Sequence, residues 1–370
     1  MNQIFLIGII ESLFFGFILL VRKNKTKADR VLLFWLLLFS IHLVFPFFVY
    51  KDFPKNIYLS GTDGGILVLH PILLFVYSSS LLSRNKKIVA RKGLHLAVFF
   101  ISCLLILPYA FIKKETKIGF YENTAELPAY VWLASFIINV VFLSYIIATI
   151  RLISKHVRSL KNEFSFLERL DLNWLKYLTI GLLVFYISLT IVGSILYALN
   201  ISIYNIDFYI YCLLVVFVFG IGFYGIKQQN VFSDFKIMHE KFSIESVQKK
   251  NNAPAIISDK DNKFTKYLQE FMVSEKPHLN NELSLYDLAD KLHVKAHYLS
   301  HILNNVLKTN FYEFVNYYRV EELKKQLQEN KQKFSILGLA FESGFNSKST
   351  ANRIFKNYTG KTPSQYINSN

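Results

Sequence analysis

The sequence predicts an all-α protein in two parts, a seven-span transmembrane helical bundle followed by a soluble helical domain. Three observations carry that prediction. Apolar residues make up 52% of the 370-residue chain, more than an ordinary soluble domain carries, and they are concentrated before residue 227. Seven stretches there are each about 20 residues long and mainly apolar, the length a helix needs to cross a hydrocarbon core. The remainder has a soluble composition and holds two patterns of short helix, three- or four-residue turn and second helix.

The spans are expected at 4–21, 31–50, 65–83, 94–112, 129–150, 175–199 and 207–226, so that residues 1–226 form the membrane domain. Alternate loops concentrate the positive charge. Arg22, Lys23, Lys25, Lys27 and Arg30 lie in the first; Arg84, Lys86, Lys87, Arg91 and Lys92 in the next; Arg151, Lys155, Arg158, Lys161 and Arg169 in the third. The intervening loops hold Lys51, Lys55, Lys113, Lys114 and Lys117, five cations against fifteen. The positive-inside bias predicts an outside N-terminus and, after an odd number of spans, a cytoplasmic C-terminal part. Much of the net charge of +16 is therefore read as a topology signal. Met1-Asn2-Gln3 lacks a positive n-region and no small-residue cleavage site follows, so the first block is read as a retained span. Cys103 and Cys212 each sit in an apolar block, which predicts buried free thiols and provides no disulfide framework or metal cluster.

Polar groups inside spans are costly and suggest function. Glu11, His42, His70 and Asn139 all fall in the outer half to the middle of the predicted bilayer, where they can line one outward-facing cavity that senses a small molecule or a proton. The plainer reading is that each bonds a neighbouring helix, with Glu11 protonated. Asp63, Gly64 and Gly65 mark a loop near the same mouth. Pro46, Pro71 and Pro108 predict kinks or helix ends. No HExxH, GxSxG or phosphate-cradling glycine loop occurs, and no internal repeat of the transporter kind. A receptor or anchor is expected, with no enzyme activity, metal or cofactor.

Residues 227–260 read as a juxtamembrane segment and linker. Phe232, Phe235, Met238 and Phe242 suggest a short amphipathic helix along the inner leaflet, and 248–260 a flexible linker. Phe264, Leu268, Phe271 and Met272 then make a stripe from about 262 to 274, opening a soluble domain over 261–370.

The first helix pair covers about 285–308. Ser284 is its N-cap with Asp287 three residues on, and Leu285, Leu288, Ala289 and Leu292 form its buried face. In its second helix Leu299, Ile302, Leu303, Val306 and Leu307 point inward, leaving His297, Ser300, His301, Asn304 and Asn305 outside. The second pair covers about 335–359. Ala351, Ile354, Phe355 and Tyr358 are expected inside, and Lys348, Ser349, Asn352, Arg353 and Lys356 outside. These outward sets suit base edges and phosphates better than a merely solvated face, which would carry more Asp and Glu. Arg353 is the leading base reader, because its fork matches guanine O6/N7, while Lys348 and Lys356 suit phosphate. Residues 316–327 predict a strut helix between the pairs, buried through Tyr317, Val320, Leu323, the Lys324 stem and Leu327. A separation of about 34 Å would let both second helices enter successive major grooves. Residues 261–370 hold fifteen Lys/Arg and eleven Asp/Glu, which suits a specific binder with modest non-specific affinity.

Residues 283–368 resemble the AraC/XylS-type DNA-binding domain over its full length. The matching residues are Ser284-Leu285, Leu288-Ala289, Tyr298-Leu299-Ser300, Phe314-Val315, Arg319, Ala340, Gly344-Phe345, Phe355-Lys356, Gly360, Thr362-Pro363-Ser364 and Tyr366. The resemblance implies seven helices, two tandem helix–turn–helix reading heads and a sequence-specific regulator of transcription. By position it marks His297, Ser300, His301, Lys348, Ser349, Asn352 and Arg353 as reading residues. It further implies double-stranded promoter DNA and RNA polymerase as partners, a homodimer as an option, and a bacterial inner membrane for the spans. The whole chain looks like membrane-anchored members of that family, controlled by a small-molecule or envelope signal. Two departures stand out. Ile302-Leu303-Asn304 lacks the family's usual aromatic and basic pair, and Ala351 replaces a usual Phe or Leu, which predicts reduced stability or a changed helix tilt. The altered first head and the modest charge balance motivate a second reading, a membrane receptor whose C-terminal module binds a protein partner and no longer reads DNA.

Overall fold

The computed structural model describes residues 3–368 apart from positions 53, 62, 83–91, 123, 168–171, 200, 202–205, 244–258 and 330–334. Among the described residues the chain is helical with no β-strand. It divides into two units, Met1–Lys155 with Leu172–Ser233, and His156–Asp171 with Asp234–Asn370.

The first unit is built on α1 (Gln3–Val21), α2 (Lys27–Lys51), α3 (Gly64–Leu82), α4 (Lys92–Ala110), the short α5 (Lys114–Tyr121), α6 (Ala129–Glu163), α7 (Asn173–Ala198) and α8 (Ile206–Ser243). Among the described residues, α1, α2, α3, α4, α6 and α7 are long and apolar enough to cross a membrane, while α8 carries a shorter apolar run, Tyr211–Lys227. Each expected apolar stretch corresponds to a helix, but among the described residues six helices, not seven, meet the length and hydropathy of a span. Pro46, Pro71 and Pro108 all lie inside helices, and both cysteines are half-buried free thiols.

Local chemistry explains where α2 begins. Thr26 caps the Asp29 amide at 3.1 Å, and the Asp29 carboxylate returns to the Thr26 amide at 2.6 Å. Two of the N-terminal amides that a helix leaves unpaired are satisfied reciprocally. Arg22 holds the other oxygen of the buried Asp29 at 3.2 Å. The core beyond is aromatic, with Trp35 stacked on Phe39 and ringed by Tyr77 and Phe217. Close helix approach is enforced by Gly222, where a Cβ would stand 2.4 Å from the Phe15 ring.

Two elements run further than expected. The backbone of α8 stays helical through Ser243 with no break at the change of composition near Ile226, in place of a separate amphipathic helix. Helix α6, expected to end near 150, continues to Glu163. Its 35 residues correspond to about 52 Å at 1.5 Å per residue, well beyond a hydrocarbon core of about 30 Å. Its last turns belong to the second unit.

That unit comprises α9 (Asp259–Ser274), a 3₁₀ turn at Pro277–Leu279, α10 (Leu285–Lys291), α11 (Ala296–His301, widening into a π turn over Ile302–Val306), α12 (Phe311–Glu329), α13 (Ile336–Glu342), α14 (Lys348–Thr359) and α15 (Pro363–Asn368). The expected linker at 248–260 lies almost wholly outside the described residues. The two helix pairs, α10–α11 and α13–α14, begin on the same local design. Ser284 and Ser335 are N-caps, accepting from the amides of Asp287 and Gly338. Each first helix ends with a residue in the left-handed region, His293 at φ 54° and Gly344 at φ 88°. The amides that follow turn back identically, Val294 to the Ala289 carbonyl and Phe345 to the Ala340 carbonyl, both at 3.0 Å. Histidine tolerates that conformation better than most side chains. At Gly344 nothing larger fits, since a Cβ would lie 2.3 Å from the His278 carbonyl oxygen.

Helix α12 joins the pairs by being apolar on two sides. Phe311, Phe314 and Val315 pack into the α9–α11 core with Leu268, Met272, Leu288 and Leu299. Tyr312, Val320, Leu323 and Leu327 pack into the α13–α14 core with Leu339, Phe345, Ala351 and Phe355. Tyr317 does not join either core and is about half exposed, as is Tyr358, whose hydroxyl instead donates to the Glu313 carbonyl at 3.0 Å.

Gly344→Ala is expected to destabilise this unit by more than about 1 kcal/mol, because the added Cβ meets backbone and the conformation is left-handed. Chemical unfolding of the full chain in detergent checks it; an unchanged midpoint would contradict the turn described.

Candidate nucleic-acid interface

The exposed residues of the second helix of each pair compose the candidate surface. In α11 His297 is exposed, and Ser300 and His301 are partly so. Asn304, in the π turn, donates its amide to the Ser300 carbonyl at 2.9 Å and to the Ser300 hydroxyl at 3.1 Å, so these two side chains act as one polar group. Asn305 is bonded to His301 Nδ1 at 3.0 Å. In α14 Lys348, Ser349, Arg353 and Lys356 are exposed and Asn352 partly so. Ser347 caps this helix through the Thr350 amide, and its hydroxyl also meets that of Ser349 at 3.1 Å. Gly360, left-handed at φ 76°, closes it. Arg353 donates to the Tyr312 hydroxyl at 3.1 Å, which aims its guanidinium from a fixed point on α12. Each patch is therefore cationic or amide-bearing, with no carboxylate among the residues named.

The predicted departures are filled by their surroundings. Beside Ile302-Leu303 the aromatic bulk comes from Phe311 and Phe314, with Phe264 and Phe271 at the margin. The core around Ala351 is completed by Leu160, Phe164 and Leu167, residues of the stretch between two apolar helices that sequence reasoning had treated only as a basic loop. Phe164 is buried and forms an isolated antiparallel bridge with Ser284. The Ser165 amide and hydroxyl both donate to the Leu283 carbonyl, at 3.2 and 2.6 Å. Lys161 pairs with Glu313 at 3.5 Å and lies over the ring of Tyr312, the residue that holds Arg353.

Arg319 organises this junction. It is 1% exposed, and each of its N–H groups reaches an acceptor. Nε donates to the His278 carbonyl at 2.9 Å; Nη1 to the Ser165 carbonyl at 2.9 Å and Asn316 Oδ1 at 3.3 Å; Nη2 to the Ser165 hydroxyl at 3.0 Å and the Asn280 carbonyl at 2.8 Å. Five donors is the full inventory of a guanidinium. His278 itself is buried, and burial pushes its pKa down to about 4, with Glu322 pulling the other way.

A family model described as a helix-turn-helix domain matches residues 288–369. The C-terminal unit contains an AraC-type helix–turn–helix domain. Curated relatives matching this region are uncharacterized HTH-type transcriptional regulators of Staphylococcus aureus strains COL, MSSA476 and N315, each 28% identical over 116 residues. Those matches cover 31% of this chain and 14% of each relative's length. No solved structure matches the chain. Within the AraC-type domain, Gly344 and Phe345 form the turn after α13, Ala340 in α13 accepts the Phe345 amide, and Arg319 lies on the strut; the resemblance had marked these residues as matches without explaining their chemistry.

The four polar residues expected to cluster inside the first unit separate into two sorts. His42 and His70 are buried and meet at 2.7 Å, His42 Nδ1 to His70 Nε2. Trp35, Asp63 and Tyr211 complete that group, and of these only Asp63 was flagged by its position in sequence. Asn139 instead donates to the Ser135 carbonyl and accepts from Tyr186. Glu11 has a buried oxygen without a partner among the described residues and makes no hydrogen bond to either histidine.

Two outcomes follow for the C-terminal unit. Phe164→Ala removes a buried ring, a change that typically costs about 3–5 kcal/mol, so amide exchange in α12 and α14 is expected to accelerate. Unchanged protection would detach residues 160–167 from this core. For His278, the folded pKa lies below the ordinary 6.5, so the folded state binds fewer protons than the unfolded one between those values. Its stabilising contribution is complete above about pH 6.5 and is lost as pH falls toward 4. His278→Leu is expected to flatten that part of the stability–pH curve measured by unfolding.

Proposed function

We propose that this chain is a membrane-bound one-component regulator of transcription, in which α11 and α14 are the two recognition helices that read promoter DNA. The observation that carries the coupling between membrane and DNA is the seat of residues 160–167 in the core of the AraC-type domain. That stretch is the covalent connection between α6 and α7, both apolar enough to span a bilayer. A displacement of either span is delivered to the strut that holds both helix pairs.

Three further features support the reading. Large apolar side chains such as Leu94, Phe100, Leu104, Val184, Ile191 and Ile195 stand exposed on α4 and α7, a surface suited to lipid. Along the sequence the loop cations alternate, fifteen against five, which supports an N-terminus outside and the DNA-binding unit in the cytoplasm of a bacterium. The exposed faces of α11 and α14 carry donors and cations rather than carboxylates. In this scheme His297, Ser300, His301, Asn304, Ser349, Asn352 and Arg353 address bases, Lys348 and Lys356 hold phosphate, and RNA polymerase is the downstream partner. The His42–His70 group is the sensing element; Glu11 and Asn139 tune its surroundings. A second copy of the chain is accommodated but not required, because one monomer already carries both reading helices.

Gel shift with the full chain in nanodiscs on genomic promoter fragments tests this. Arg353→Ala is expected to cost about 1–3 kcal/mol on the selected site and relax one base position, whereas Lys356→Ala weakens binding on all sequences and lowers the salt slope by about 1. Absence of sequence-selective binding, together with unaltered target transcription in Arg353→Ala, would sink the reading in favour of a protein-binding module.

A further inference from the structure

Beside the two histidines lies a cavity of about 300 Å³ lined by Asp63 and by the rings of Tyr50, Tyr109, Phe120, Trp132 and Tyr211, among other residues. Asp63 is 4% exposed. Its Oδ2 receives His42 Nε2 at 3.1 Å and the Tyr211 hydroxyl at 2.6 Å.

The hydrogen-bond chain has a direction. Trp35 Nε1 can only donate, and it reaches His70 Nδ1 at 3.0 Å. His70 Nδ1 is therefore an acceptor, which leaves His70 Nε2 to meet His42 Nδ1, 2.7 Å away, and His42 Nε2 to donate to Asp63. The network runs in one direction from Trp35 and ends on Asp63, the charge-bearing group of the cavity wall.

We propose that this cavity is a binding site for a small organic ammonium ion, held by the Asp63 carboxylate and by the faces of Tyr109, Trp132 and Tyr211. A buried carboxylate set in an aromatic wall favours a cation over a neutral molecule, and aromatic faces attract an ammonium. The cavity holds a molecule of several heavy atoms rather than a bare metal ion, and among the described residues no group of three or more histidine, cysteine, aspartate or glutamate side chains is placed to hold one. An amine is already seated in the same neighbourhood. Lys117 is buried, its Nζ lies 4.5 Å from the Tyr109 ring centroid, and it donates to the carbonyls of Ser60 at 3.3 Å and Tyr58 at 3.5 Å. This inference deepens the sensing role proposed above and rests on it only for its biological consequence.

The test uses the full chain in nanodiscs, with tryptophan fluorescence and thermal shift as readouts. The probes are choline and benzylamine, each against its neutral isostere, 3,3-dimethylbutan-1-ol and benzyl alcohol. At least one cation is expected to bind about tenfold tighter than its isostere, and Asp63→Asn to abolish that preference. Tyr211→Phe, which keeps the ring and the carboxylate, is expected to retain it. Equal affinity for cation and isostere, or no binding of either cation to the unmodified chain, overturns the proposal whether or not Asp63→Asn folds. Target transcription is measured in parallel and decides the sensing reading separately: cation-selective binding without a transcriptional response removes the sensor role and leaves the site.

Discussion

The C-terminal unit depends on one buried cation. Taking a guanidinium out of water costs several kcal/mol unless its donors are matched, and Arg319 meets that demand with acceptors drawn from three separate stretches. The turn at 278–280 supplies two carbonyls, α12 itself supplies Asn316, and Ser165 supplies both a carbonyl and a hydroxyl. Two of the five bonds therefore end on a residue more than 150 positions away in sequence. Withdrawing Ser165 would strand two donors of a buried charge, and bonds to charged groups are worth about 1.5–3 kcal/mol each. Residues 160–167 are part of the folded unit in energetic terms as well as by contact.

That constraint bears on how the two helix pairs are held. Helix α12 has one set of side chains in each core, so the orientation of one pair relative to the other is set by how α12 is seated. Arg319 and Gly344 both press on the His278 carbonyl, one through a hydrogen bond and the other through contact that tolerates no Cβ. The 277–280 turn, the turn between α13 and α14 and the strut are thereby fixed against one another. Phe164 and Leu160 enter the same core from the side, beneath the strut residue that holds Arg353 through Tyr312.

Much of this was legible in the residues. Hydropathy located every long helix because a bilayer-length apolar run has few alternatives, but it missed the polar extensions of α6 and α8. The Ser284 cap and the Gly344-Phe345 match helped to locate the helix pairs, since such residues act through local backbone geometry, whereas the matching cap at Ser335 emerged only from the structure. Periodicity failed where a helix has two buried sides: a single stripe assigned Tyr317 to the core, whereas α12 buries Tyr318 in part and leaves Tyr317 outside. The same bias placed Tyr358 inside. Composition also misread residues 151–167, whose Arg and Lys announce a solvated loop while Leu160, Phe164 and Leu167 sit among them unremarked. Those three become meaningful only once a second surface with a matching gap is present, and no local pattern encodes a partner so distant in sequence. The relay was half visible, because intramembrane histidines stand out, but Trp35 and Tyr211 are ordinary residues for a span.

The arrangement of α6 gives the proposed coupling a physical route. Val131, Trp132 and Ser135 in its first turns line the Asp63 cavity, and Leu160 and Lys161 near its end contribute to the second unit. It is one uninterrupted helix, without proline, over that whole length. In the scheme proposed above, a ligand closing the aromatic cavity against Trp132 would act on α6, and the contacts that carry its effect further are those of Leu160 with the core and of Ser165 with Arg319. Because Arg319 lies on α12, loss of the Ser165 contacts would alter the seating of the helix that joins the two pairs proposed to read DNA.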